Sequence, residues 1–287
     1  MLSSLAAVLF DGFAYGVLLF LLSVGLSVTL GMMNFVNLAH CAFAAVGGYC
    51  TVTMVNKLGW PFLATLPAAF LVAALASVIL ERTLYRHLYR SSDLDQCLFT
   101  IGIVFISVAA FAWFYTTEQQ SARVPEYLRG TVQFAGINFA VYRLFLIIVG
   151  LAITGALVLL LERTRFGAQV RAAVDNQRMA RGLGIDVDRA FMFTFALGGG
   201  LAGLGGALAI EVIGLDPAFA LTYLVYVLIV VAVGGLGSIG GSFAAATVLG
   251  ISDMAGKYYF PWLGAFLIYL VMVALLMWRP AGLFGKR

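Results

Sequence analysis

Apolar runs follow one another along this chain with little between them. An α-helix rises 1.5 Å per residue, so about 20 apolar residues cross a bilayer's hydrocarbon core. By that measure spans are predicted at Phe10–Leu30, Ala39–Val55, Pro61–Leu80, Cys97–Tyr115, Leu144–Leu161, Phe191–Ile210, Leu221–Val233, Phe243–Asp253 and Trp262–Trp278. The seventh and eighth are short. The chain is 63% hydrophobic and 10% charged, whereas soluble domains are about half apolar and about a quarter charged. A soluble core cannot absorb that excess and leave a polar exterior. The predicted fold is therefore an all-α polytopic transmembrane bundle of about nine spans, eight to ten allowing for ambiguous breaks. It forms one membrane unit over residues 1–287, with no linker to a soluble domain. Thirty-two glycines fit this reading, because membrane helices tolerate Gly better than soluble ones. No Lys or Arg precedes Lys57, so the first run lacks the basic flank of a cleavable signal and is expected to be a retained helix.

One segment breaks the pattern. "RTRFGAQVRAAVDNQRMARGLGIDVDR", Arg163–Arg189, is about one-third charged. Burying nine charges in lipid would cost on the order of 25 kcal/mol on insertion scales, so it must face water or a wet partner. Phe166–Arg181 reads as a single short helix, with Val170, Ala173, Val174 and Gln177 on one face. Arg171 and Asp175 form an i,i+4 pair, and Gly182 and Gly184 end the helix. Small apolar residues ringed by charge suit a groove on a soluble partner better than a lipid surface, which asks for bulky anchors; the alternative is a solvated loop with incidental helix.

Basic residues set orientation, since Lys and Arg favour the cytoplasmic side. Placing 162–190 in the cytoplasm puts Glu81–Gln96 and the tail after Trp278 beside it. Together these hold twelve Lys and Arg, against Lys57, Arg123, Arg129, Arg143 and Lys257 opposite. An outside N-terminus and a cytoplasmic C-terminus follow. Trp60, Trp262 and Trp278 fall at predicted helix ends, as interfacial aromatics do. Thr116–Arg143 is expected to form a small external cap.

Two breaks are candidate pathway elements. "GGLGSIGG", Gly234–Gly241, is too glycine-rich for regular helix. Gly235, Gly237 and Ser238 either line a route, as re-entrant or broken helices do, or make a plain turn. Asn34, Asn37 and His40 near the first break read either as an inner gate or as helix capping with a satisfied His. In "FALGGGLAGLGGALA" the small residues recur every four positions, which allows close helix approach. Cys41, Cys50 and Cys97 show no metal-ligand spacing and read as packing residues. Glu211, Asp216 and Asp253 fall near predicted outer helix ends, where docking of an external protein is conceivable. No phosphate-cradling "GxxxxGK[ST]" and no convincing catalytic constellation is present, so no cofactor is expected in this chain.

The charged segment resembles the cytoplasmic loop of ABC importer membrane subunits, through Ala172, Ala173, Gly182 and Gly184-Ile185. Arg171 stands where that pattern has an acidic residue. The branched-chain amino acid permeases are more similar still, through Gly167, Arg171, Ala172, Met179-Ala180, Leu183-Gly184-Ile185 and Arg189. Asn37, Ala39 and His40 resemble their "N-x-A-H" segment, although Cys41 stands where they usually have Gly. "VGGLGSIGGSFAAATVLG" and "RPAGLFGKR" resemble their glycine-rich break and C-terminal signature. Over residues 25–287 the chain resembles the shorter H-type permease more than the longer M-type.

The resemblance implies an importer subunit of the bacterial inner membrane, not itself an enzyme. Its implied partners are an M-type permease, two cytoplasmic ATPases that bind ATP and Mg, and an external solute-binding protein. Gly167, Arg171, Ala172, Asp175, Arg178, Ala180, Gly182, Gly184 and Ile185 would form the ATPase-coupling loop. The alternatives are a sibling importer for urea, amides or aromatic carboxylates, a stand-alone carrier or channel, and, least supported, a membrane enzyme.

Overall fold

A computed structural model describes residues 2–33, 35–89, 91–134 and 137–285. Every predicted span contains a helix. In chain order these are α1 (Leu2–Met33), α2 (His40–Asn56), α3 (Phe62–Thr83), α4 (Asp93–Tyr115), α5 (Val141–Arg163), α8 (Val187–Ile213), α9 (Phe219–Gly234), α10 (Ile239–Tyr259) and α11 (Gly264–Trp278). The charged segment supplies α6 (Arg165–Asp175) and α7 (Gln177–Gly182). Five helices, α1, α3, α4, α5 and α8, are long and apolar enough to cross a membrane; the other four apolar helices are shorter or less apolar. The chain is a polytopic helical membrane protein.

The helix predicted at Phe243–Asp253 is longer than expected. Ser238 caps it by accepting from the Gly241 amide at 3.0 Å, which starts the helix inside the glycine run. Packing of α10 along α1 tolerates the remaining glycines: Gly250 sits against the backbone of Gly16 and Gly12.

One small non-helical element accompanies the helices. The segment joining α4 to α5 contains an antiparallel hairpin, β1 (Thr131–Phe134) with β2 (Ile137–Ala140), registered Thr131 to Ala140 and Phe134 to Ile137. Apolar and polar residues alternate here with the period of a strand. The Phe139 ring packs edge-on against Phe10 at 4.7 Å, seating the hairpin on the start of α1. Gln120 and Leu215 exchange backbone hydrogen bonds of 2.7 and 3.2 Å, tying this segment to the α8–α9 connection.

α8 is the hub of the bundle, packed against α1, α2 and α3. Its glycines are the reason. A Cβ on Gly206 would overlap the Ala44 carbonyl of α2, and one on Gly203 the Ala73 side chain of α3. Gly198 faces Gly25 of α1. The small residues expected to serve helix packing thus serve it inside the chain. Such approach lets dispersion and short polar contacts act between backbones, which matters where lipid removes the hydrophobic drive. Ser77 of α3 uses it to donate to the Phe195 carbonyl at 2.8 Å, and Tyr142 of α5 donates to Leu208 at 2.8 Å. Cys41 is buried, while Cys50 and Cys97 are only partly so.

Trp60 and Trp262 sit in the turns before α3 and α11, and Trp278 ends α11; all three are exposed. The C-terminal end of α1, the α3–α4 connection, the charged segment, the α9–α10 turn and the tail after Trp278 gather at one end. This is called the charged end below.

Overpacking should separate hub glycines from surface ones. Gly206→Leu should cost about 3 kcal/mol or more and lower the detergent-solubilised melting temperature. Gly155→Leu on α5, where an added Cβ meets nothing within 4 Å, should leave it nearly unchanged. Equal melting of the two would contradict α8 as the hub.

Candidate functional site

The charged segment is not the single helix its periodicity suggests. α6 ends at Asp175, Asn176 takes an extended conformation, and α7 begins at Gln177. Asn176 makes the corner by accepting the Met179 amide at 3.0 Å, so the chain turns where a straight helix was expected. Thr164 caps α6 from the other side, accepting from Gly167 at 3.3 Å.

The expected partner-facing stripe is turned inward. Val170 and Ala173 are fully buried, with Ala180, Val187, Ala190 and Phe191, and Met33, Tyr89, Phe166, Val174 and Ile185 pack around them. Only Gln177 of the four stripe residues is exposed. Small side chains at i and i+3 let α6 lie close on the start of α8. Gly167 belongs to the same close fit, since a Cβ there would overlap the Leu161 carbonyl. Arg171 does not engage Asp175 as an i,i+4 pair; its guanidinium donates to that Leu161 carbonyl, closing the orphan end of α5.

What faces outward is different. Met179 is 67% exposed and Leu183 79% exposed, at the far side of α7 from the bundle. Arg178, Gly182 and Gly184 are exposed beside them, and Ala172 and Ile185 are half-buried. Gly184 sits at φ +82°, a conformation that suits Gly after a helix end. Arg181 bridges to Asp188 at 2.9 Å and Arg189 to Asp186 at 2.9 Å. Both pairs are exposed, so each contributes little to stability.

The glycine-rich stretch forms a tight turn, the second of its two readings. Gly235 and Gly237 adopt φ +94° and +78°, and Ser238 caps α10. Gly237 lies against Gly31 at the end of α1, where a side chain would collide with backbone. The tail seals α9: Leu283 donates to the Val233 carbonyl at 2.7 Å and Phe284 to Gly234 at 3.2 Å.

These parts meet in one open cleft of about 1230 Å³. Arg171 and Asp175 line it from α6, Gly237 and Ser238 from the turn, and Phe284 and Gly285 from the tail. Residues predicted at two separate sites therefore share one wall of the charged end.

Asn37 and His40 lie elsewhere, in the elbow between α1 and α2; Asn34 lies outside the described residues. Both are buried and already satisfied. Asn37 Oδ1 accepts the Ala39 amide at 3.1 Å. His40 Nε2 lies 3.1 Å from the Leu22 carbonyl, which can only accept, so this nitrogen carries the proton. Both bonds are of the kind that helix capping and a satisfied His make.

Sequence reasoning missed the residues that hold this elbow. Gln96 Oε1 accepts the Val36 amide at 3.0 Å and Thr100 Oγ1 the Leu38 amide at 3.2 Å, both from α4. Phe35 then packs on Tyr85, Tyr89 and Phe195, at 5.3, 5.6 and 5.7 Å. Tyr89 donates to the buried Glu81 carboxylate at 2.8 Å. Burial, with Glu81 beside it, pushes the Tyr89 phenol far above its ordinary pKa, so it stays a donor. The available signal was a polar residue directly at the edge of an apolar run, as at Gln96 and Glu81.

The family described as "Branched-chain amino acid transport system / permease component" matches residues 8–276. Among curated relatives, the "probable branched-chain amino acid transport permease protein LivH" of Methanocaldococcus jannaschii is 29% identical, over 94% of this chain and 90% of that protein. BraD of Pseudomonas aeruginosa, a "high-affinity branched-chain amino acid transport system permease protein", is 24% identical over 97% and 95%. LivM of Salmonella typhimurium is 26% identical over 92% of this chain and 67% of its own length. No solved structure matches. With most of its length inside that match, the chain belongs to the branched-chain amino acid transport permease family.

Proposed function

We propose that this chain is a membrane-spanning subunit of an ATP-driven ABC importer that carries branched-chain or related amino acids across the bacterial inner membrane. Its N-terminus lies outside and its C-terminus in the cytoplasm. Its partners are an M-type permease, two ATPases that bind ATP and Mg, and an external solute-binding protein. The relatives' names support the substrate class. The likeness to both LivH-type and LivM-type chains supports pairing of two similar permeases. The excess of Lys and Arg at the charged end supports the orientation.

One observation carries the coupling role of residues 162–190. The segment grips the bundle through Val170, Ala173 and Ala180 while presenting Met179 and Leu183 to the aqueous side. Large apolar side chains held out among arginines suit a groove on a soluble protein. The docking element is thus the outer side of α7 with Arg178, Gly182 and Gly184. Gly167, Arg171, Ala172, Asp175, Ala180 and Ile185 hold the segment against the bundle, and movement imposed at α7 is passed to α8 through that buried side.

Two outcomes test this. Proteoliposomes holding the whole assembly should take up leucine only with ATP inside the ATPase compartment, and the chain alone should take up none. Uptake by the chain alone would make it a self-sufficient carrier, and uptake of urea or an aromatic carboxylate in place of leucine would make it a sibling importer. Second, Met179→Asp with Leu183→Asp, or Gly184→Pro, should lower uptake by about tenfold, a loss of about 1.4 kcal/mol of coupling. Insertion in the membrane should be unaffected. Unchanged uptake in both variants would remove the coupling role from α7.

A further inference from the structure

The end of the bundle opposite the charged segment holds an ion pair that the coupling role does not use. Asp253 is fully buried on α10, about 9 Å short of that helix's C-terminal end. Its Oδ2 accepts from Lys257 Nζ at 2.5 Å, one turn further on. Its Oδ1 has no hydrogen-bond partner among the described residues. The Lys257 side chain is 51% exposed, and its Nζ stands 5.4 Å from the centre of the Tyr15 ring of α1. Tyr223 and Tyr226 of α9 are neighbours at 5.7 Å, and Tyr226 and Tyr269 of α11 at 6.4 Å. Tyr15 of α1 faces the lysine, and the tyrosines of α9 and α11 lie in the same region of the bundle.

An orphaned buried charged acceptor is expensive in a low dielectric and uncommon; Glu81 Oε2 and Asp216 Oδ1 share this state, and Asp253 is the most deeply buried of the three. Ionisable groups inside membrane segments mark functional positions for the same reason. Here the unused oxygen belongs to a carboxylate whose other oxygen holds Lys257, and that ammonium stands over the Tyr15 ring. The pair carries opposite charges in neighbouring positions and is open to solvent only at its cationic end.

We infer that Asp253 and Lys257, with the face of Tyr15, form a transit site for a zwitterionic α-amino acid. The ligand's ammonium occupies the free Oδ1 and lies against the Tyr15 ring, as cations do on aromatic faces. Its carboxylate takes the half-exposed Lys257 ammonium. One ion pair opens and two form, so no net charge is brought into the membrane. The ligand's side chain meets the rings of Tyr223, Tyr226 and Tyr269. An amine without a carboxylate, or an acid without an amine, satisfies only half of the arrangement. The inference deepens the proposed importer reading by naming the recognised group, and it rests on that reading for the ligand class.

The test is protection of Lys257 from an amine-reactive sulfonated succinimidyl ester, in the assembled importer in nanodiscs, read by peptide mass spectrometry. Lys57, exposed at the same end, is the internal reference. L-Leucine at about tenfold excess over its dissociation constant should slow labelling of Lys257 about tenfold and leave Lys57 unchanged. 3-Methylbutylamine and 4-methylpentanoate at the same concentration should not. Asp253→Asn should abolish the protection while Lys257 still labels. No slowing by leucine, equal slowing by either half-ligand, or protection that survives in D253N would overturn the site. The wild-type arm needs no variant, so a D253N chain that fails to assemble leaves the test intact. Labelling also needs no uptake. ATP-driven leucine uptake without protection would overturn the site alone, and protection without uptake would overturn the importer reading alone.

Discussion

Backbone-to-backbone contact along α8 is the constraint on which the rest of this structure depends. In lipid the apolar side chains gain nothing by leaving one another's company for that of acyl tails, so burial alone does not drive helices together. What remains is close packing and short polar contacts, and both require that Cβ atoms be absent at the crossing points. Gly198, Gly203 and Gly206 meet three different helices. The bonds from Ser77 to Phe195 and from Tyr142 to Leu208 exist because the backbones come near enough for a hydroxyl to span them. α8 also begins directly after the charged segment. The helix that organises the bundle is therefore the one that carries α6 and α7 on its first turn.

Helix positions were legible in the sequence because hydropathy over about 20 residues is a long-range average, insensitive to any one residue. The breaks were less so. The glycine run at Gly234–Gly241 permits both an open segment and a turn, and the choice is made by distant residues: Gly31, which lies against Gly237, and Leu283 and Phe284, which bond the end of α9. No local window contains that information. The hairpin at 131–140 was missed because four-residue strands fall below the length at which a period of two stands out from a mixed segment.

The charged segment shows the same limit at its sharpest. Periodicity located the stripe of Val170 and Ala173 correctly but could not say what covers it. An apolar stripe on a charged helix reads as a surface for another protein, yet the covering surface is the chain's own α8. Met179 and Leu183 do not fall on that stripe, because Asn176 turns the chain between them and it. A cap residue inside an otherwise helical pattern was the cue, and its weight depends on the side-chain bond from Asn176 to Met179. Conversely, Asn37 and His40 were read with capping as one alternative, and their bonds to Ala39 and Leu22 are of that kind.

The charged end connects into the bundle through two sets of contacts, which share Phe191. The first is direct: Val187, Ala190 and Phe191 continue the buried side of α6 and α7 into α8 without a joint. The second passes through a ring stack. Phe191 meets Tyr89 at 5.9 Å, Tyr89 meets Phe35 at 5.6 Å, and Phe35 stands in the elbow between α1 and α2. Tyr89 is held in that stack by Glu81, and the elbow by Gln96 and Thr100. Close-packed side chains transmit displacement because interiors have little free volume to absorb it. These contacts join the charged segment both to α8 and to the α1–α2 elbow. Because α8 also contacts α1 and α2 along its length, the two sets of contacts meet the same pair of helices from two points.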